Sequence, residues 1–202
     1  MIDVSKSALL VLHVQNDIVK PEGKFAYSGL PSQVQKANLL EKIAKVIKAS
    51  RDASVRVIYG NIVLRPGYPE LNEKSQPIIW GIKEAGALVK GSWGAENPKE
   101  IAPLPDDWIV YNYACDCFSY TDLDILLRAN GITDLYLTGT ATTFVVNSTT
   151  RHGSELGYAI TILEDCCRSF TQEMHDFEIK NVLPQFGTIS KSSDFIAALP
   201  KK

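Results

Sequence analysis

The chain has 202 residues, 45% of them hydrophobic and 22% charged, with a formal charge of −2. That length buries roughly 70% of the extended surface in one domain, read as a single domain over 1–202. The balance of charge supplies no positive field for nucleic acid, and the longest apolar run, about five residues, is far too short to span a membrane.

Residues 8–14, Ala-Leu-Leu-Val-Leu-His-Val, read as a strand buried on both faces, because alternation is missing. Residues 20–31 carry Pro and Gly and read as loop. Ser32 is placed as the cap of a helix to Ala49, with Val34, Ala37, Leu40, Ile43, Ala44 and Ile47 as its buried stripe. Val55, Val57 and Tyr59 mark a second strand, a short helix is expected near 76–85, and 86–107 reads as irregular chain of the kind that lines a site. Strands follow at 108–112, 132–138, 158–163 and 186–190. Between them lie helices from Thr121 to Asn130 (ended by Gly131), from about 143 to 156, and near 171–182, with a short turn or helix after the last strand.

Six strands separated by long helical stretches imply right-handed crossovers. The expected fold class is α/β, a three-layer α/β/α sandwich around a mainly parallel, Rossmann-like sheet. Ligands in such sheets bind beyond the carboxyl ends of the strands. His13, Asn16, Asp17, Asn112 and the 139–145 turn lie near those ends. No Gly-x-Gly-x-x-Gly follows the first strand, no Gly-x4-Gly-Lys-Ser/Thr occurs, and no Gly-x-Ser-x-Gly elbow is present. Cys115-x-Cys117 has no second pair at zinc spacing. No metal or cofactor is expected. Four cysteines in two close pairs suit a reducing compartment, and the absence of a secretory signal pattern fits a cytoplasmic protein.

Five segments in order carry a family resemblance: Ala8 to Asp17; Lys90-Gly91-Ser92-Trp93-Gly94-Ala95-Glu96; Phe118-x-x-Thr121-Asp122-Leu123-x-x-Leu126-Leu127; Gly139-Thr140-Ala141-Thr142; and Thr149-x-Arg151-x4-Leu156-Gly157-Tyr158. Together they resemble the isochorismatase-like hydrolases, the cysteine hydrolase superfamily, which includes nicotinamidases and N-carbamoylsarcosine amidases. The resemblance implies a homodimer or homotetramer and a site with an Asp after the first strand, a Lys after the third and a nucleophilic Cys after the fourth. It also implies backbone N–H groups, after a cis peptide, that hold the oxyanion. The matching positions here are His13, Asn112 and Val145. The stretch Arg65 to Glu70 and the Val145-Val146 pair look like a branch that lacks the Cys but keeps the Asp and Lys, and this chain departs further.

Val145 has no lone pair and cannot form a thioester. Asn112 is neutral and cannot supply the Lys charge. His13, with an ordinary pKa of about 6.5, can accept a proton and activate water, with Asn112 and the Ala141 N–H as polar anchors. Trp93, Phe144 and Cys117 are assigned to substrate binding, with Tyr27 and Tyr68 as further aromatic walls. Cys117 is also considered as a displaced nucleophile, its pKa lowered by the start of the next helix; alternatively it packs beside Phe118. Asp17 is read as a brace and His152 as a surface or interface residue. Two functions stay open: a hydrolase or lyase acting on a small carbonyl compound without a cysteine at the family position, and a catalytically inactive homologue that binds a small molecule or an oligomer partner.

Overall fold

A computed structural model describes residues 1–71, 74 and 77–200. Its strands are β1 (Ser7–Leu12), β2 (Arg56–Ile62), β3 (Trp108–Asn112), β4 (Asp134–Thr140), β5 (Ala159–Arg168) and β6 (Thr188–Ser190). Its α-helices are α1 (Asn16–Val19), α2 (Leu30–Lys36), α3 (Leu39–Asp52), α4 (Pro77–Ala85), α5 (Leu123–Ala129), α6 (Asn147–Glu155), α7 (Gln172–Phe177) and α8 (Ser192–Ala198).

All six residues of β1 are buried. Leu9 and Val11 enter one core, with Ile43, Val46 and Ile47 of α3 and Phe195 of α8. Ala8, Leu10 and Leu12 enter the other, with Leu123 and Leu127 of α5 and with Val145 and Val146. A strand that feeds two cores has no polar face, which is why its sequence does not alternate. The sheet runs β3-β2-β1-β4-β5-β6, and every adjacent pair is parallel. The chain therefore builds outward from β1 to β3 and then returns to place β4 against the other side of β1. The carboxyl ends of β1 and β4 flank the point where the order reverses, where open α/β sheets place their ligands. A third apolar cluster, including Ile62, Leu64, Tyr68, Ile82 and Leu88, covers that end of the sheet.

Several elements differ from the sequence reading. The helix expected from Ser32 to Ala49 is two helices. It starts after Gly29 with Pro31 in its first turn and breaks at Asn38, whose φ of +50° places it in the left-handed region; asparagine tolerates that region better than most side chains. The break resets the helical phase, so the buried stripe of α3 is Leu39, Ile43, Val46, Ile47 and Ser50, while Leu40 and Ala44 are only half-buried. The helix expected near 76–85 is observed from Pro77, and residue 76 lies outside the described residues. The turn after β4 opens with a π-helical segment, Thr142–Val146, that runs into α6. β5 continues to Arg168 past a bulge, since Leu137 pairs with Ile162 but Gly139 with Cys167. That extension puts Cys166 and Cys167 inside a strand, both fully buried. Among the described residues, no helix is long and apolar enough to cross a membrane.

Candidate functional site

His13 is the first residue beyond β1, and its φ of +53° turns the chain out of the sheet. Its N–H donates to the Gly60 carbonyl (2.8 Å), and its own carbonyl accepts from Thr140 Oγ1 (3.2 Å). The main chain at His13 is thereby fixed between β2 and β4. Nε2 lies 3.0 Å from Oδ1 of Asn112, the last residue of β3. The Asn112 amide donates to the carbonyls of Ala114 (2.8 Å) and Asp116 (3.1 Å). Both groups are buried, and Asn112 is wholly so. Burial is the main cause that lowers the His13 pKa to about 4; the Asn112 hydrogen bond and the Asp116 charge oppose it. His13 is therefore a neutral imidazole at pH 7.

His13 lines a cavity of about 70 Å³ together with Ala141 and Phe144 after β4, Phe170 after β5, Cys115 after β3, and Ile18, Phe25, Leu30, Ile82 and Leu88 from the covering loops and helices. The Phe144 and Phe170 rings meet edge to face at 5.4 Å. The Thr140–Ala141 peptide is cis. No Lys or Arg is among the described lining residues. Among the described residues, no group of three or more His, Cys, Asp or Glu gathers for a metal ion.

The sequence reading put His13, Asn112, Ala141 and Phe144 together, and the structure brings these four to one place. Val145 is next to them in the chain, but its side chain is fully buried in the core with Leu12 and Val146. Two expected cavity residues lie elsewhere. Trp93 is half exposed and lines a separate open groove beside α2 and α3; only its backbone carbonyl faces inward, accepting from Asn16 Nδ2 at 2.8 Å. Cys117 is buried on β2, where a Cβ on Gly60 would lie 2.1 Å from its sulfur. It fills the space that glycine leaves. The expected helix start is absent there, since α5 begins at Leu123, and burial pushes the Cys117 thiol pKa up, not down. Of the two other expected aromatic walls, Tyr27 is exposed, and Tyr68 is held in the covering cluster by its hydroxyl bond to the Ala87 carbonyl (2.9 Å).

Residues missed in the sequence reading are Cys115, Phe25 and Phe170. The thiol of the cavity is Cys115, its pKa raised to about 11, first by burial and then by the Asp116 charge. Phe25 sits in the 20–31 segment, whose Pro and Gly mark a loop without telling which of its side chains turns inward. Phe170 lies just past the carboxyl end of β5, and the rule that pointed to the 139–145 turn applies to it equally.

The polar residues that follow His13 have a different task. Gln15 donates to the Ile62 and Ala95 carbonyls (2.8 Å each) and accepts from the Ile62 N–H (2.9 Å). Asp17 accepts from the N–H groups of Lys24 (3.0 Å) and Leu88 (2.8 Å). A Cβ on Gly94 would strike that carboxylate at 2.0 Å. Gln15-Asn16-Asp17 and Gly94 thus pin the loops over the sheet end. On the far side of Asn112, Asp116 accepts from His152 Nδ1 (2.6 Å) and Ser119 Oγ (2.5 Å). His152, a partly exposed residue of α6 as expected, is thus tethered to Asp116 and its ring packs on Phe118.

A parallel sheet with a cavity at its order reversal, closed by a carbonyl-end loop and a cis peptide, is the architecture of the isochorismatase-like hydrolases. The Isochorismatase domain matches residues 7–194, and the chain belongs to that family. A ureidoacrylate amidohydrolase, RutB, of Caulobacter vibrioides is 30% identical over 209 residues, covering 96% of this chain and 91% of that protein. RutB of Azorhizobium caulinodans is 31% identical over 215 residues, covering 98% and 94%. Among solved structures, an isochorismatase-like hydrolase from Alkaliphilus metalliredigens is similar with a TM-score of 0.78 and 25% identity, over 96% of this chain and 99% of that one. N-carbamoylsarcosine amidase from Thermoplasma acidophilum is similar with a TM-score of 0.71 and 26% identity, over 93% and 96%.

Proposed function

We propose that this chain is an isochorismatase-family protein whose His13 cavity binds a small uncharged molecule without forming a covalent bond to it. The observation that carries this reading is the neutral His13–Asn112 hydrogen bond, standing at the two positions where the family resemblance implies a charged Asp and Lys. The hydrocarbon at Val145, in place of the implied Cys, supports it by removing the acyl-enzyme route. Ureidoacrylate, the substrate in the name of the RutB relatives, carries a carboxylate. No cation is among the described lining residues to pair with such an anion, which favours an uncharged ligand here.

A second reading is favoured by one feature: His13 shares the cavity with Ala141. In that reading His13 is the base that activates water, and Asn112 and the Ala141 N–H anchor a small carbonyl compound. A base with a pKa of about 4 has the right protonation state at pH 7 but little driving force for proton transfer.

The test is a panel of ureidoacrylate, simple amides and esters run on wild type and His13→Ala, with intact-mass analysis after incubation. Equal background rates and no mass gain support the binding reading. Turnover that His13→Ala abolishes establishes the second reading, and an acyl adduct on any cysteine overturns both. We further propose a homodimer or homotetramer, to be checked by sedimentation equilibrium.

A further inference from the structure

We propose that the cavity selects a small uncharged ligand presenting an N–H or O–H donor to Nδ1 of His13, and that Asn112 is the positioning residue that sets this preference. The inference rests on the binding reading above and gives it a ligand class.

Both amide protons of Asn112 have acceptors, the carbonyls of Ala114 and Asp116. Turning the amide over would bring Oδ1 against those two carbonyl oxygens, so its orientation is determined. Oδ1 then faces His13 Nε2 at 3.0 Å. An amide oxygen only accepts, so Nε2 must carry the proton. A neutral imidazole has one such proton, and Nδ1 is left with the lone pair. Among the described residues the ring's hydrogen bond is the one at Nε2, and none donates to Nδ1. His13 is 6% exposed and lines the cavity.

An acceptor so placed is costly to cover with carbon or with a second acceptor, and favourable to cover with a donor. The walls around it are mainly hydrocarbon, including Ile18, Leu30, Leu88, Phe144 and Phe170. A volume of about 70 Å³ suits a small ligand. Ser28, Cys115 and Thr140 also line the cavity, so the matched ligand is a compact, mainly apolar molecule with a donor for His13 Nδ1. In an Asp at position 13 both oxygens would accept and carry charge; His13 keeps one acceptor and discards the charge.

Two measurements on the full-length protein test this. Long-range 1H–15N correlation of the imidazoles in 15N-labelled wild type reads the tautomer directly. The expected result is a protonated Nε2 and an unprotonated Nδ1 for His13 at pH 7; a proton on Nδ1 overturns the proposal without touching the binding reading. Pyrrole and furan are then titrated, two rings of nearly equal size of which only pyrrole has a donor. Pyrrole is expected to bind about tenfold more tightly and to shift the His13 Nδ1 resonance. In Asn112→Ala both tautomers become populated and the preference shrinks towards unity. Equal affinity of the two rings in wild type overturns the donor rule while leaving the cavity a binding site. Failure of both rings to move any cavity resonance overturns the binding reading and this inference with it.

Discussion

His13 and the Gln15–Asp17 brace leave the same strand two residues apart, and both are buried and polar. They differ in how completely they are satisfied. Both oxygens of the Asp17 carboxylate and the Gln15 amide have protein partners. Among the described residues, His13 has a partner for Nε2 alone. Buried polar groups that are fully paired hold structure, and one with an atom to spare at a cavity wall is available to a ligand. The comparison separates fastening from recognition within five residues.

The brace is where the largest effect is expected. Asp17→Ala strands two buried N–H groups and frees the loop at Leu88, and should cost about 3 kcal/mol in urea denaturation. A loss below 1 kcal/mol would mean that the brace is ornamental.

Acid comes next. The unfolded chain protonates its imidazole near 6.5, while folded His13 stays neutral down to about 4. His13 therefore contributes stability above pH 6.5 that is lost as pH falls through 4, on the order of 3 kcal/mol at full titration. Asn112 and Asp116 act on that ring, and Ser28, Cys115 and Thr140 are the polar groups that share its cavity among the described residues. His175, also lowered to about 4 by burial and by Arg168, adds a parallel loss. Denaturation at pH 7 and pH 4.5 should show a smaller drop for His13→Ala than for wild type.

A smaller effect tests whether Cys117 is only packing. Gly60→Ala forces a Cβ onto the Cys117 sulfur and should cost about 2 kcal/mol. Adding Cys117→Ala should recover roughly half of that, a coupling readable in a double-mutant cycle. Smallest of all, Trp93→Ala should leave pyrrole affinity within about twofold, since its side chain lines another groove. A larger change would join that groove to the cavity.

How much of this was legible beforehand follows from the physics of each signal. The β1 run, the β3 bounds and the strand-end placement of His13, Asn112 and Ala141 come from hydrophobic pattern and alternation of elements, which act locally. The break at Asn38 was not visible, because the apolar spacing continues across it and one left-handed residue resets the phase. Cys117 was chosen over Cys115 for the site, the wrong one of the pair, because two residues apart at a strand exit one turns to the cavity and the other to a glycine-lined gap. That gap exists only once β2 and β3 are paired. The tautomer of His13 depends on two carbonyls in the 113–117 loop, which no spacing encodes.

The return of the chain to β1 has one more consequence. Residues 7–112 supply β1, β2 and β3, and residues 134–190 supply β4, β5 and β6. The sheet is two consecutive three-stranded slabs glued along a single seam, and the cavity opens on that seam: His13 and Cys115 from one slab, Ala141, Phe144 and Phe170 from the other. Whatever sits there touches both slabs at once, so occupancy is also a clasp. A cut in the exposed turn at Asn130-Gly131 would leave two fragments whose reunion the ligand itself promotes.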